Sequence, residues 1–331
     1  MLLSKGLIRV GIGIPATAQF ELVGVDDPYG YASSSELSLF RRPLPSTNLR
    51  FLTTVMWDGR ESAPGAALQA DLIRQALDAT QGHEQLAGNL TQAQLDDIVD
   101  FEMGLTTAQA TDEIAGKLDT QGARGGPVRL QHEASFVGIN DPLGGNPTGA
   151  AFNPVAMTLF DAWAALGAST PQDARRAAVA RGQQLFNTKP IVITGVAGLN
   201  DNLNLPVIQG TCTLCHDTPN VGNHSVGAPL NIGLADASRR TPDMPLYTLR
   251  NKLTGELTQT TDPGRALVSG RWSDIGKMKG PILRGLAARA PYFHNGSAAT
   301  LSDVLDFYDT RFNIGFTARE KSDLIAFLQS L

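Results

Sequence analysis

Both cysteines of this 331-residue sequence fall in one short run, Cys212-Thr-Leu-Cys215-His216. Two thiols three residues apart on one turn can add to the two vinyl groups of a haem. The adjacent histidine is then placed beneath the iron as its axial ligand. With only two cysteines and five histidines in the chain, the coincidence of all three is a specific signal. Two other chemistries use the same residue types. A redox dithiol calls for a β-α-β context, which the flanking sequence lacks. A zinc-binding structural module could draw on Cys212, Cys215, His216 and His224, but a histidine abutting the second cysteine cannot easily reach the same ion. Covalent haem c is the leading reading.

The surrounding elements must hold that run against a haem. The expected fold class is mainly α with long loops. Residues 1–60 carry many turn formers and read as loops with short pieces of regular structure. Leu68, Leu72 and Ala76 recur at helical spacing, with Gly82 as a left-handed cap. Thr91-Gln-Ala-Gln94 is a capping box opening a helix over Leu95, Ile98 and Val99. Residues 120–150, rich in Gly, Pro and Asn, read as a long irregular connection. A helix is expected from Val155 to Leu166, and another opens at Thr170-Pro171 and runs to about Phe186. Two further helices open at Thr300-Leu-Ser-Asp303 and Thr317-Ala-Arg-Glu320. They face inward through Leu301, Val304, Leu305 and Tyr308, and through Leu324, Phe327, Leu328 and Leu331.

Composition bounds the function. At 331 residues the chain is long enough for two domains, divided here as 1–168 (with 120–150 as linker) and 169–331. A net charge of −5 shows no footprint for nucleic acid or an anionic membrane. No apolar run is long enough to span a bilayer. The opening run from Met1 to Val10 makes a poor signal peptide, so the chain is either cytosolic or truly starts upstream.

The ordered set of Arg181-Gly182-Gln-Gln-Leu185-Phe186, Gly210-Thr-Cys212-Thr-Leu-Cys215-His216, Leu283-Arg284-Gly285 and Pro291-Tyr292-Phe293-His294-Asn295-Gly296 resembles the C-terminal half of the bacterial di-haem cytochrome c peroxidases. That superfamily includes the MauG-like enzyme that matures the tryptophan-derived cofactor of methylamine dehydrogenase. Arg42-Pro43…Asn48…Trp57-Asp58-Gly59-Arg60 is similar to the family's N-terminal half, downstream of its first haem. Together these stretches cover most of the chain.

The resemblance implies two cytochrome c domains. One haem takes electrons from a small donor protein of cytochrome c or cupredoxin type; the other binds hydrogen peroxide and splits its O–O bond. Oxidation of a partner protein is the variant activity. Residues 1–211 contain no cysteine, so the N-terminal domain is partial and lacks its haem motif. The expectation is that this motif and a signal peptide lie upstream of Met1, in a periplasmic parent with a second haem. A mono-haem electron carrier is the reading if the chain is complete.

The resemblance also implies roles. His216 is the proximal ligand. Tyr308, fourteen residues after His294, stands where the peroxidases carry methionine and the MauG-like enzyme tyrosine. Met278 is the alternative ligand, and Tyr308 as an ordinary core residue is the competing reading. Trp57 matches the tryptophan between the two haems. His83 is either an acid/base group over the missing haem or a helix-terminal histidine. Asn48 with the carbonyls of Arg289 and Pro291 resembles an interhaem calcium site. Arg284 is expected to pair a haem propionate, and His294 to lie near the haem edge or to fix its loop.

Overall fold

The computed structural model describes residues 2–33 and 35–331. Met1, on which the start-site expectation falls, and Ser34 lie outside them. In chain order the principal elements are β1 (Ile8–Ile12), β2 (Phe20–Asp26), β3 (Leu37–Arg41), α1 (Leu68–Gly82), α2 (Gln92–Gly104), α3 (Pro171–Thr188), β4 (Ile191–Thr194), β5 (Val207–Gly210), β6 (Leu246–Asn251), β7 (Leu257–Thr260), α4 (Leu301–Phe312) and α5 (Ala318–Gln329). Shorter turns join them.

Helix starts follow local chemistry. Thr91, Thr300 and Thr317 each form a reciprocal capping box with the residue three positions on. Thr170 accepts from the Asp173 amide, with Pro171 in the first turn, where its missing N–H costs nothing. Helices α3 and α5 then pack unusually closely, because Gly182 sits at their crossing. A Cβ there would lie 2.0 Å from the Asp323 carbonyl oxygen. Phe160, Trp163, Phe186 and Phe327 fill the core beside this crossing, with Leu301, Leu305 and Leu324. Residues Ala115 to Trp163, from the first half of the chain, complete the same core.

A second core lies under strands that the sequence pattern did not announce. β2 pairs antiparallel with β6, and β6 with β7, so an early strand joins a sheet from the far half of the chain. β1 pairs with β3, and β4 with β5. Phe20, Leu37, Leu39, Tyr247 and Leu249 are buried together. The Tyr247 hydroxyl donates to the Ser38 carbonyl and accepts from the Ser38 amide at 2.6 and 2.9 Å. Helices cover 32% of the chain and strands 15%, so "mainly α" fits the α3–α5 region better than the whole.

Two helix expectations need correction. The helix expected at Val155–Leu166 reduces to one 3-10 turn, Asp161–Ala165. Side chains of α3 pair with this segment's backbone instead. Asn187 accepts from the Met157 amide and donates to the Met157 carbonyl, while Gln183 accepts from the Phe160 amide. Those side-chain bonds satisfy the backbone without helical ones. Gly82 is not a left-handed cap. It is the last residue of α1, and His83 follows in right-handed geometry, its amide donating to the Ala79 carbonyl. Among the described residues, no helix is long and apolar enough to cross a membrane.

Candidate haem site

Cys212 opens a 3-10 turn directly after β5, and the His216 amide donates back to the Cys212 carbonyl at 3.1 Å. Thr213 is fully buried, and its hydroxyl donates to the Pro154 carbonyl at 2.8 Å, pinning the turn from within. The cysteines are unbridged, and burial pushes both thiols up to about 12. They are therefore neutral, yet both line one cavity.

The His216 ring is fixed by its Nδ1, 2.6 Å from the Gly222 carbonyl oxygen. With Nδ1–H donating there, Nε2 keeps its lone pair free for an acceptor such as iron. Desolvation lowers the imidazole pKa and keeps the ring neutral, as ligation needs. Gly222 holds φ +79°, and a Cβ there would meet the Met157 methyl at 2.7 Å, so only glycine presents the carbonyl this way.

The cavity has a volume of about 370 Å³. One wall is apolar and comes from regular elements: Phe186 of α3, Ile191 and Ile193 of β4, Leu301, Leu305 and Tyr308 of α4, and Leu324 and Leu328 of α5. A second wall comes from loops and includes Arg42, Trp57, Met278, Lys279, Arg289 and His294. Tyr308 packs edge-on to Phe307 and Phe293, at ring separations of 5.2 and 6.3 Å. Burial, followed by the two cysteine thiols, pushes its phenol pKa up. Met278 is buried in the same cavity, its backbone paired with Leu230 and its methyl turned toward Gly264. The fold thus brings Cys212, Cys215, His216, Tyr308, Met278, Trp57 and His294 around one space.

These side chains suit a covalent haem: two neutral thiols on one turn, a neutral imidazole with a free Nε2, and an apolar enclosure. They do not suit zinc. Among the described residues no group of three or more His, Cys, Asp or Glu side chains converges on a metal-sized space. His224, the fourth member of that alternative, instead places its Nδ1 3.0 Å from Asp217.

Residues 278–314 match the family model described as RoxA-like, cytochrome c-like. The cytochrome-c peroxidase IdrP2 of Denitromonas iodatirespirans is 31% identical over 134 residues, 37% of this chain and 36% of that protein. The cytochrome c551 peroxidase of Nitrosomonas europaea is 29% identical over 121 residues, 36% of this chain and 30% of that protein. The chain thus spans about a third of the length of these curated relatives. A crystal structure of a MauG-like protein associated with microbial copper homeostasis aligns with 91% of this chain and 75% of its own, at 19% identity and TM-score 0.45. Over that third of its length the chain is similar to cytochrome-c peroxidases.

Other sequence-derived sites fare differently. Trp57 is half-buried, donates from Nε1 to the Arg42 carbonyl at 2.8 Å, and meets the His294 ring edge-on at 6.2 Å. His294 is buried, and neither ring nitrogen has a hydrogen-bond partner; desolvation lowers its pKa to about 4. His83 stands exposed at the end of α1 and does not line the cavity. Arg284 is buried but also outside the cavity lining. One guanidinium nitrogen donates to the Asn220 carbonyl, while Nε and the second terminal nitrogen have no partner.

Two members of the calcium set have other partners. The Asn48 carboxamide is committed to Thr107 at both ends, accepting from its amide at 2.8 Å and donating to its carbonyl at 2.7 Å. The Arg289 carbonyl accepts from the Arg42 guanidinium, a cation where calcium needs oxygens alone. Sequence reasoning missed Arg42 and Lys279 as cavity residues. The only signal for Lys279 was a lysine inside the otherwise apolar stretch from Met278 to Leu283.

Proposed function

We propose that this chain is a haem c oxidoreductase of the peroxidase type, with the haem bonded to Cys212 and Cys215 and ligated by His216. Residues 169–331 form its haem-binding unit, completed by the packing of residues 115–163. The observation that carries the reading is the Cys-x-x-Cys-His turn at the wall of an apolar cavity, with the His216 ring anchored through Nδ1. The haem supplies one-electron redox chemistry in such a protein.

The chain's own residues then have defined work. Gly222 orients His216 and, by accepting from Nδ1, raises its basicity toward iron. Tyr308 would help hold the iron in this proposal, and its phenolate would favour the ferric state. The aromatic and aliphatic wall keeps water from the site. Trp57, against His294, offers an aromatic route out of the cavity for electrons. Electrons enter from a small donor protein of cytochrome c or cupredoxin type, in the periplasm where haem c is attached. They pass on to hydrogen peroxide, which takes two electrons and two protons to give two waters; in the variant activity a partner protein supplies those two electrons and is itself oxidised.

The presence of one Cys-x-x-Cys-His run favours a second reading, a mono-haem electron carrier. The pyridine haemochrome of the purified protein decides the first question, with a c-type band at one haem per chain expected. No such band would end the haem proposal. Peroxide-dependent oxidation of a reduced donor cytochrome supports the enzyme, and one haem without turnover leaves the carrier. Tyr308→Phe is expected to change the ferric spectrum, and an unchanged spectrum would remove the phenolate.

A further inference from the structure

The cavity lining has a charge imbalance. Three basic side chains, Arg42, Lys279 and Arg289, line it, and no aspartate or glutamate does. Lys279 is only 7% exposed, and its ammonium donates to one backbone carbonyl, that of Thr54, at 3.1 Å. The Arg42 guanidinium donates to the carbonyls of Lys5 and Arg289, and that of Arg289 to the carbonyls of Ile282 and Arg284. Among the described residues no ion pair links any of the three to a carboxylate. Burial first, and then the positive charge on Arg289, disfavours protonated Lys279; burial and then the charge on Arg42 act in the same way on Arg289, so the three also repel in series.

The neighbouring Arg41 makes the contrast plain. It is as deeply buried as Lys279 and holds two carboxylates, Asp58 and Asp262, at 2.5 and 2.7 Å. A buried cation with no counter-charge costs several kcal/mol. That cost falls on the buried Lys279; with the half-buried Arg42 and Arg289 on the same lining and no carboxylate among them, the cavity favours an anion within it. A haem bonded at Cys212 and Cys215 brings two carboxylates into that same space.

We propose that Lys279, Arg289 and Arg42 receive the two haem carboxylates, a role the sequence assigned to Arg284. The inference rests on the haem reading above. The three are positioning residues: they orient the macrocycle and, as positive charges near it, favour the reduced state.

The test uses the haem-loaded protein and the variants Lys279→Met, Arg289→Met and Lys279→Arg. The haem potential is read by spectroelectrochemistry and the propionate bending band by resonance Raman. Both methionine variants are expected to lower the potential and shift the band, and Lys279→Arg to restore both. A c-type haemochrome with potential and band unchanged in the methionine variants overturns the assignment and leaves the haem reading standing. Should the methionine variants not accumulate, infrared titration of the wild type with isotopically labelled haem carboxylates replaces them. Carboxylates still ionised below the pH at which a free one takes up its proton support the proposal. Protonation at the ordinary carboxylate pKa overturns it. Absence of a c-type band overturns both readings together.

Discussion

Phe186, Leu301, Leu305, Leu324 and Leu328 reach the cavity from three helices, each opened by a threonine cap. Arg42, Trp57, Lys279, Arg289 and His294 reach it from segments without a regular helix. The first wall is set by volume, through close helix packing. The second is set by charge and by side-chain bonds to backbone. At its base Arg41 bridges Asp58 and Asp262, and Arg60 adds a further contact to Asp58 at 3.1 Å. Burial alone would pull the Arg41 pKa down, but Asp262 and Asp58 outweigh it and keep the guanidinium charged. The same pairing outweighs burial at Asp262, whose pKa falls below the ordinary carboxylate value. The cavity thus presents two kinds of surface, one apolar and one electrostatic.

That contrast ranks the perturbations that would break it. Arg41→Met strands buried carboxylates and is expected to destabilise the protein by about 3–5 kcal/mol. Urea unfolding followed by far-UV circular dichroism measures this; a loss within error of zero would mean that charge does not hold the loop wall.

Acid is the next largest lever. The folded His294 has a pKa of about 4 against the ordinary 6.5, so it is neutral in the fold and the unfolded chain takes up its proton first. Its contribution is complete above pH 6.5 and is lost as pH falls toward 4, amounting to up to about 3 kcal/mol. His294→Phe should flatten this slope in denaturation midpoints measured across that range; an unchanged slope assigns the acid sensitivity to other groups.

The helical wall should answer to volume and not to pH. Gly182→Ala places a methyl against the Asp323 carbonyl, and overpacking of this kind costs about 1–3 kcal/mol. The loss should be equal at pH 5 and pH 7.5 in the same unfolding assay. A marked pH dependence would erase the distinction between the walls.

Legibility in the sequence follows the same division. The caps at Thr91, Thr170, Thr300 and Thr317 are local hydrogen-bond patterns, and each opens a helix where its spacing indicates. The segment after Val155 had the apolar residues of a helix, but Asn187 and Gln183, distant in sequence, took up its backbone groups. The β2–β6 pairing was equally hidden, since strand partners far apart in the chain leave no short-range signal. Arg284 and Lys279 mark the limit most clearly. Both stand as basic residues in one apolar stretch, and the one with the more suggestive neighbours lies outside the cavity.

By itself, the sequence determined the candidate attachment turn, because two thiols and an imidazole within five residues can meet a haem without help from distant chain. It also determined the helix starts, which depend on side chains three residues apart. Only the tertiary structure decided which cations face the cavity, which carbonyl steers His216, and that Tyr308 and Met278 share one space with the cysteines. Those outcomes depend on which distant segments desolvate one another, and that is settled by packing.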